Sequence, residues 1–176
     1  DDIIVLPACG CKPARNLTPD SIADESGPVY SPDGRYLAYA QKRTPRFYAD
    51  TQRLMLLDRA AGTTRGLTEQ WERSADGLVW ARDSKALYGV IDDAATSRIY
   101  RFALAGGTPR AVTGEHSYSG LGIGGGAAIA LRQSCSEPAT LVRLDLAKGT
   151  PTKLSGFNDA ALASFAHRAN LARSRA

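Results

Sequence analysis

The residues best suited to contact a ligand or partner fall in two polar stretches: Arg46, Phe47, Tyr48 and Asp50 in one, Trp71, Glu72 and Arg73 in the other. Cations, carboxylates and aromatic rings mixed on loops can grip a partner by ion pairing and stacking; the same residue types also serve simply to pack and pair loops at a surface. Covalent chemistry has little to work with. His116 and His167 stand in polar surroundings, with no Ser or Cys partner to activate, and read as structural or solvated residues. No Gly-x-Ser-x-Gly elbow, His-Glu-x-x-His helix or Asp-x-Asp-x-Asp-Gly loop occurs. The run Gly120-Leu-Gly-Ile-Gly-Gly125 satisfies Gly-x-Gly-x-x-Gly, but Ala127 to Leu131 after it reads as a strand. A dinucleotide site needs a helix there, so glycines on a tight inner strand are the expectation. Cys9, Cys11 and Cys135 are an odd number; Cys9-x-Cys11 is a poor spacing for a bridge or a metal, so plain thiols are expected. The sequence thus predicts no catalytic residue, no cofactor and no metal.

The bulk numbers bound the class. The 176 residues suffice for one ordinary core, and 43% hydrophobic with 23% charged residues is globular composition. The net charge of +4 is mild, and its cations are scattered singly rather than striped with aromatics, which argues against nucleic acid as a partner. No apolar run approaches the length of a membrane-spanning helix. The first residues read as a strand already under way, as in a cut through a larger protein.

What must position the polar stretches is a repeat. Leu17-Thr18, Leu67-Thr68, Val112-Thr113 and Leu154-Ser155 each close a segment made of an apolar strand, a turn and a short polar strand. The turns are Cys9-Gly10-Cys11-Lys12, Ala60-Ala61-Gly62-Thr63, Ala105-Gly106-Gly107-Thr108 and Ala147-Lys148-Gly149-Thr150. Another hairpin precedes each closing pair: Gly27 to Ser31, turn Pro32-Asp33-Gly34-Arg35, then Tyr36 to Ala40. Its second copy is Gly77 to Ala81, turn Arg82-Asp83-Ser84-Lys85, then Ala86 to Ile91; the third, Gly120 to Leu131, is degenerate. A period of roughly 40–50 residues built from short strands is that of propeller blades, four strands each.

The expected fold is therefore all-β, a partial β-propeller of about three and a half four-stranded antiparallel blades. Residues 1–18 supply strands C and D of a half blade, 19–68, 69–113 and 114–155 supply whole blades, and 156–176 form a linker or tail. Such a piece either closes by borrowing strands or is a slice whose end blades meet others; the slice is the favoured reading. Its free strand edges near Asp1 and Ser155 would invite homo-oligomers. Up-and-down topology puts the tight turns on one face and the long segments Arg43 to Gln52 and Glu69 to Asp76 on the other. That second face is the candidate functional surface. Trp80, on an inner strand, is expected in the core between blades.

Ser31-Pro-Asp-Gly-Arg-Tyr-Leu-Ala-Tyr39 with the Leu-Thr closures resembles the propeller repeats shared by TolB-like proteins and prolyl oligopeptidase family serine peptidases. The longer run Phe47-Tyr-Ala-Asp50, Arg53 to Gly62, Leu67-Thr68, Trp71 to Ser74 and Trp80 is similar to bacterial peptidases of the dipeptidyl-peptidase and acylaminoacyl-peptidase branch. The ending Leu154 to Asp159 looks like that family's exit from its last blade toward the catalytic domain. The resemblance covers about residues 1–165. It implies a parent enzyme with an α/β-hydrolase domain carrying Ser, Asp and His, which releases dipeptides or acyl-amino acids from peptide N-termini. The propeller would gate access to small peptides. This chain holds none of that triad, so its expected partners are the hydrolase domain and peptides; Arg46, Tyr48, Asp50, Trp71, Glu72 and Arg73 are the candidate docking or peptide-contact residues. The alternative is a TolB-like scaffold for protein partners with no enzyme attached. The tail from Ala160 to Ala176 departs from the family pattern and reads as a short basic helix or a frayed end. Compartment, bacterial periplasm or cytoplasm, stays open.

Overall fold

The computed structural model describes residues 1–124 and 127–163. Strands β1 (Ile4–Val5) and β2 (Arg15–Asn16) form a two-stranded sheet. Three four-stranded sheets follow in chain order. The second sheet holds β3 (Glu25–Tyr30), β4 (Tyr36–Gln41), β5 (Arg53–Asp58) and β6 (Thr63–Gly66). The third holds β7 (Val79–Trp80), β8 (Ala86–Asp93), β9 (Thr96–Ala103) and β10 (Arg110–Ala111), and the fourth β11 (Ser117–Gly124), β12 (Ala127–Ser134), β13 (Glu137–Asp145) and β14 (Thr150–Lys153). Each four-stranded sheet is an antiparallel meander, and the whole is an all-β partial propeller. A five-residue helix, α1 (Asp159–Ala163), begins the tail; the remainder of the expected tail helix, with His167, lies outside the described residues.

The repeated Leu-Thr signature has a physical cause visible four times. The N–H groups of Leu17, Leu67, Val112 and Leu154 donate to the carbonyls of Ile3, Leu54, Ile99 and Leu141, at 2.9, 2.8, 2.7 and 2.8 Å. The N–H of each of those same four residues then donates to the following hydroxyl: Thr18, Thr68, Thr113 and Ser155, at 3.0, 2.8, 3.0 and 3.0 Å. The closing hydroxyl thus satisfies a backbone donor at the start of the third strand that would otherwise lack a partner. A β-sheet unit that must bury its rim needs a small side-chain acceptor there, and Thr or Ser supplies it.

The turns repeat just as closely. Asp58 Oδ1 accepts the N–H groups of Ala60 (3.0 Å) and Ala61 (3.2 Å), and Asp145 Oδ1 those of Ala147 (2.9 Å) and Lys148 (3.2 Å). Gly62 and Gly149 end these turns at φ +68° and +71° and donate to the carbonyls of Asp58 and Asp145. On or just before the first strand of each four-stranded sheet, a glycine recurs near +60°: Gly27, Gly77 and Gly120 at φ 58°, 58° and 61°. Beside Gly27 and Gly120 the pairing register shifts, as a β-bulge requires. The apparent dinucleotide motif is thereby explained. Gly120 is the second copy of this bulge, and β11 is followed by a strand; Gly125 and Gly126 lie outside the described residues.

Three apolar clusters fill the spaces between successive sheets. Ile3, Leu37, Tyr39 and Met55 join the first and second sheets. Leu54, Leu56, Leu78, Trp80, Leu87 and Phe102 join the second and third, and Tyr88, Ile99, Ala128, Ala130, Val142 and Leu144 the third and fourth. Trp80 takes its expected core place: it stacks near Tyr36 (centroids 6.4 Å) and its Nε1 donates to the Val29 carbonyl at 3.1 Å. The facing turns are tied as well, Asp33 N–H donating to Ser84 Oγ at 3.1 Å.

One expectation is corrected. Cys9 and Cys11 are joined as a disulfide rather than standing as free thiols, with their Cα atoms 5.2 Å apart. Gly10, at φ +62°, folds the turn back on itself and brings the two Cα atoms within ordinary bridging distance. Cys135 is free and exposed.

Candidate functional site

The two polar stretches come together on one rim. Residues 43–52 connect β4 to β5, and residues 69–76 lead from the second sheet into the third. Between them opens a groove of about 580 Å³. Tyr48, Asp50, Glu72 and Arg73, four of the six candidates, line it, with Lys42 and Asp92 beside them. Arg46 and Trp71 do not.

Each candidate is held differently. Asp50 closes its own loop: its Oδ2 accepts the N–H groups of Arg43 (2.7 Å) and Thr44 (2.8 Å), and its other oxygen lies 3.5 Å from Arg53. These bonds, the Arg43 amide first, hold its carboxyl down at about 2, so it is a fixed anion at the groove wall. Tyr48 is 88% exposed, and Lys42 Nζ donates to its carbonyl at 2.9 Å. Arg46 is exposed and sits in the left-handed region at φ 59°, a conformation a non-glycine residue adopts only when the loop around it demands it. Phe47 packs against Tyr48, centroids 6.5 Å apart.

Trp71 points inward. Its ring lies 5.3 Å from Tyr100 and 5.4 Å from Phe102, so it wedges the second sheet's exit against the third sheet rather than facing the groove. Glu72 is exposed. Arg73 reaches Asp93 at 2.6 Å, the centre of a network the sequence reading missed. Asp93 is buried, accepts the Tyr100 hydroxyl at 2.6 Å and lies 3.3 Å from Arg98. The Tyr100 and Arg73 bonds push its carboxyl below the ordinary range, while burial pushes the Tyr100 phenol up. The only sequence signal for this network was a carboxylate at the end of a strand, just before the turn Ala94–Ala95 that joins β8 to β9. That turn is tight although neither alanine favours its conformation, at φ 48° and 62°.

Elsewhere the chemistry is spoken for. His116 Nε2 lies 3.5 Å from Glu137, which also pairs with Arg132 at 2.6 Å. Among the described residues, no group of three or more His, Cys, Asp or Glu is placed to hold a metal, and no helix is long and apolar enough to cross a membrane. The rim carries fixed charges and an exposed aromatic ring.

No family model matches the chain. Among curated proteins it is similar to dipeptidyl-peptidase 5 of Porphyromonas endodontalis, 34% identical over 149 residues, and to dipeptidyl-peptidase 5 of Porphyromonas gingivalis, 26% identical over 148. Both matches cover 84% of this chain and 22% of the relative, so the chain spans about a fifth of their length. Among solved structures, the Pyrococcus horikoshii acylaminoacyl peptidase superposes with a TM-score of 0.72 at 16% identity, over 94% of this chain and 24% of that one. A putative TolB from Agrobacterium tumefaciens superposes at 0.65 with 17% identity, over 88% and 56%. At such identities the structural likeness speaks for the fold alone. The chain is a partial β-propeller, similar in sequence to about a fifth of dipeptidyl-peptidase 5 and sharing its fold with part of an acylaminoacyl peptidase.

Proposed function

We propose that this chain is the non-catalytic, substrate-gating part of a serine exopeptidase that releases dipeptides or acyl-amino acids from peptide N-termini. The observation that carries the reading is the gathering of both long loops on one rim, where Tyr48, Asp50, Glu72 and Arg73 line one groove. In this reading the blades run 19–68, 69–113 and 114–155, residues 1–18 are half a blade, and 156–176 lead toward an α/β-hydrolase domain. The long-loop rim docks that domain and meets peptides on their way in, and stiffly packed sheets exclude folded substrates by size. Ser, Asp and His come from the hydrolase domain.

The test begins with the reading frame that carries the chain: a Gly-x-Ser-x-Gly elbow roughly 100 or more residues beyond Ala176 supports the peptidase. In that full-length protein, Glu72→Ala with Tyr48→Ala should raise KM for dipeptidyl chromogenic substrates about fivefold while leaving kcat within about twofold. Robust turnover by the 176-residue chain alone would sink the gating role. The second reading, a TolB-like scaffold for protein partners, is favoured by the TolB-like fold and would be supported by a stop codon shortly after Ala176.

Self-association belongs to the same proposal. The outer face of the fourth sheet leaves Ile129, Leu131 and Leu141 exposed at 43, 39 and 36%, in register for another sheet to cover. Dimers or larger assemblies of the isolated chain should appear in light scattering; a monodisperse monomer would count against them.

A further inference from the structure

We propose that the Cys9–Cys11 cystine is a thiol–disulfide exchange site for small monothiols of the glutathione class. It occupies the turn that the second and fourth sheets close with no covalent link, using Asp58 with Gly62 and Asp145 with Gly149, so the fold does not need a bridge there. The bridge encloses Gly10 alone, and a loop that short removes little chain entropy from the unfolded state. A cystine that neither shapes the turn nor stabilises the fold is free to be reduced. It is also reachable: Cys9, Gly10, Cys11 and Lys12 are all exposed, and among the described residues nothing lies within 4 Å of the space beside Gly10. Exposed bridges of this kind are the labile ones.

The geometry also assigns the roles of the two sulfurs. The Cys11 N–H donates to Cys9 Sγ at 3.4 Å. A donor there favours negative charge on Cys9, which makes Cys9 the leaving sulfur and Cys11 the one attacked. The thiolate of a monothiol forms a bond to Cys11 Sγ as the Cys9–Cys11 bond breaks, and its electron pair passes to Cys9 Sγ. A second monothiol attacks the first at its own sulfur, releasing the Cys11 thiolate and a symmetric disulfide. Two thiols are oxidised, one cystine is reduced, and solvent supplies or takes up the protons.

The test uses the 176-residue chain carrying Cys135→Ser, which removes the free thiol. After reduced glutathione, acid quenching and maleimide labelling, intact mass should show two labels per chain; after oxidised glutathione, none. A briefly trapped glutathione adduct should map to Cys11, and an adduct on Cys9 would overturn the assignment of the attacked sulfur. The thermal midpoints of the reduced and oxidised chains should agree within about 4 °C. A bridge that only a dithiol can open, two thiols that persist in oxidised glutathione, or a larger drop in midpoint on reduction would each overturn the proposal.

Discussion

Thr68 and Ser155 make the same hydrogen bond, yet one sits inside the protein and the other at its rim. Thr68 is 2% exposed and bonds the N–H of fully buried Leu54, whereas Leu141, the partner of Ser155, is 36% exposed. The second sheet lies between two neighbours, while among the described residues the fourth is docked on one face only, with Ala128, Ala130, Val142 and Leu144 buried and Ile129, Leu131 and Leu141 open. The repeat therefore encodes a local device, and the neighbouring sheet decides how much that device is worth. The same bond stabilises where water is absent and does little where water can replace it.

The sharpest way to break this comparison uses the two matching glycines. Gly62 and Gly149 end equivalent turns at nearly equal φ. A methyl group at Gly62 would meet open space, but at Gly149 it would come within 1.9 Å of the Val112 carbonyl oxygen on the adjacent sheet. Gly62→Ala should cost only left-handed strain, about 1–2 kcal/mol. Gly149→Ala adds a backbone collision and should cost roughly 3–5 kcal/mol, or prevent docking of the fourth sheet. Equal losses in denaturant unfolding would show that the sheet junction contributes nothing at that point.

Next in size is the latch. Thr68→Val keeps the shape and removes the acceptor, leaving the Leu54 N–H buried without a partner, at a cost of about 1–3 kcal/mol. Ser155→Ala should stay within about 0.5 kcal/mol, because solvent reaches Leu141. If the two substitutions cost the same, burial does not set the value of the bond.

Much of this architecture was legible because each blade repeats a backbone requirement that few residue types meet: a hydroxyl at the latch, glycine at the turns and at the bulge. The capping carboxylates Asp58 and Asp145 were not read, since each sits at the end of a strand and only the fold turns it onto the two N–H groups that follow. The site was only half legible. Loop length placed Tyr48, Asp50, Glu72 and Arg73 on one rim, but no local rule says that Trp71 turns inward onto Tyr100 and Phe102, since that direction is set by the third sheet. Asp93 was missed because its partners Arg73 and Tyr100 are brought to it by packing, and a carboxylate before an Ala-Ala turn looks like ordinary surface. The cystine escaped because its closure depends on the conformation of Gly10 rather than on spacing.

The smallest effect separates the latch from the long loop by chemistry. The latch uses hydroxyls, which do not titrate, while the loop of residues 43–52 is closed by the Asp50 carboxylate. That carboxyl is held at about 2, below its ordinary 3.8, chiefly by the Arg43 amide and then that of Thr44. A depressed value means that the unfolded chain takes up the proton first as pH falls. The contribution of Asp50 is therefore complete above about pH 4 and lost as pH falls toward 2. The amide resonances of Arg43 and Thr44 should move with a midpoint near 2, while that of Leu54 stays still until the whole fold melts. Asp50→Asn should remove the pH response of the two loop amides and speed their hydrogen exchange at neutral pH. Titration of those amides near 3.8 would mean that the carboxylate is not bonded as described. Movement of Leu54 in step with them would mean that loop and sheet open as one unit, and the division between a rigid scaffold and a separately closed recognition loop would fall.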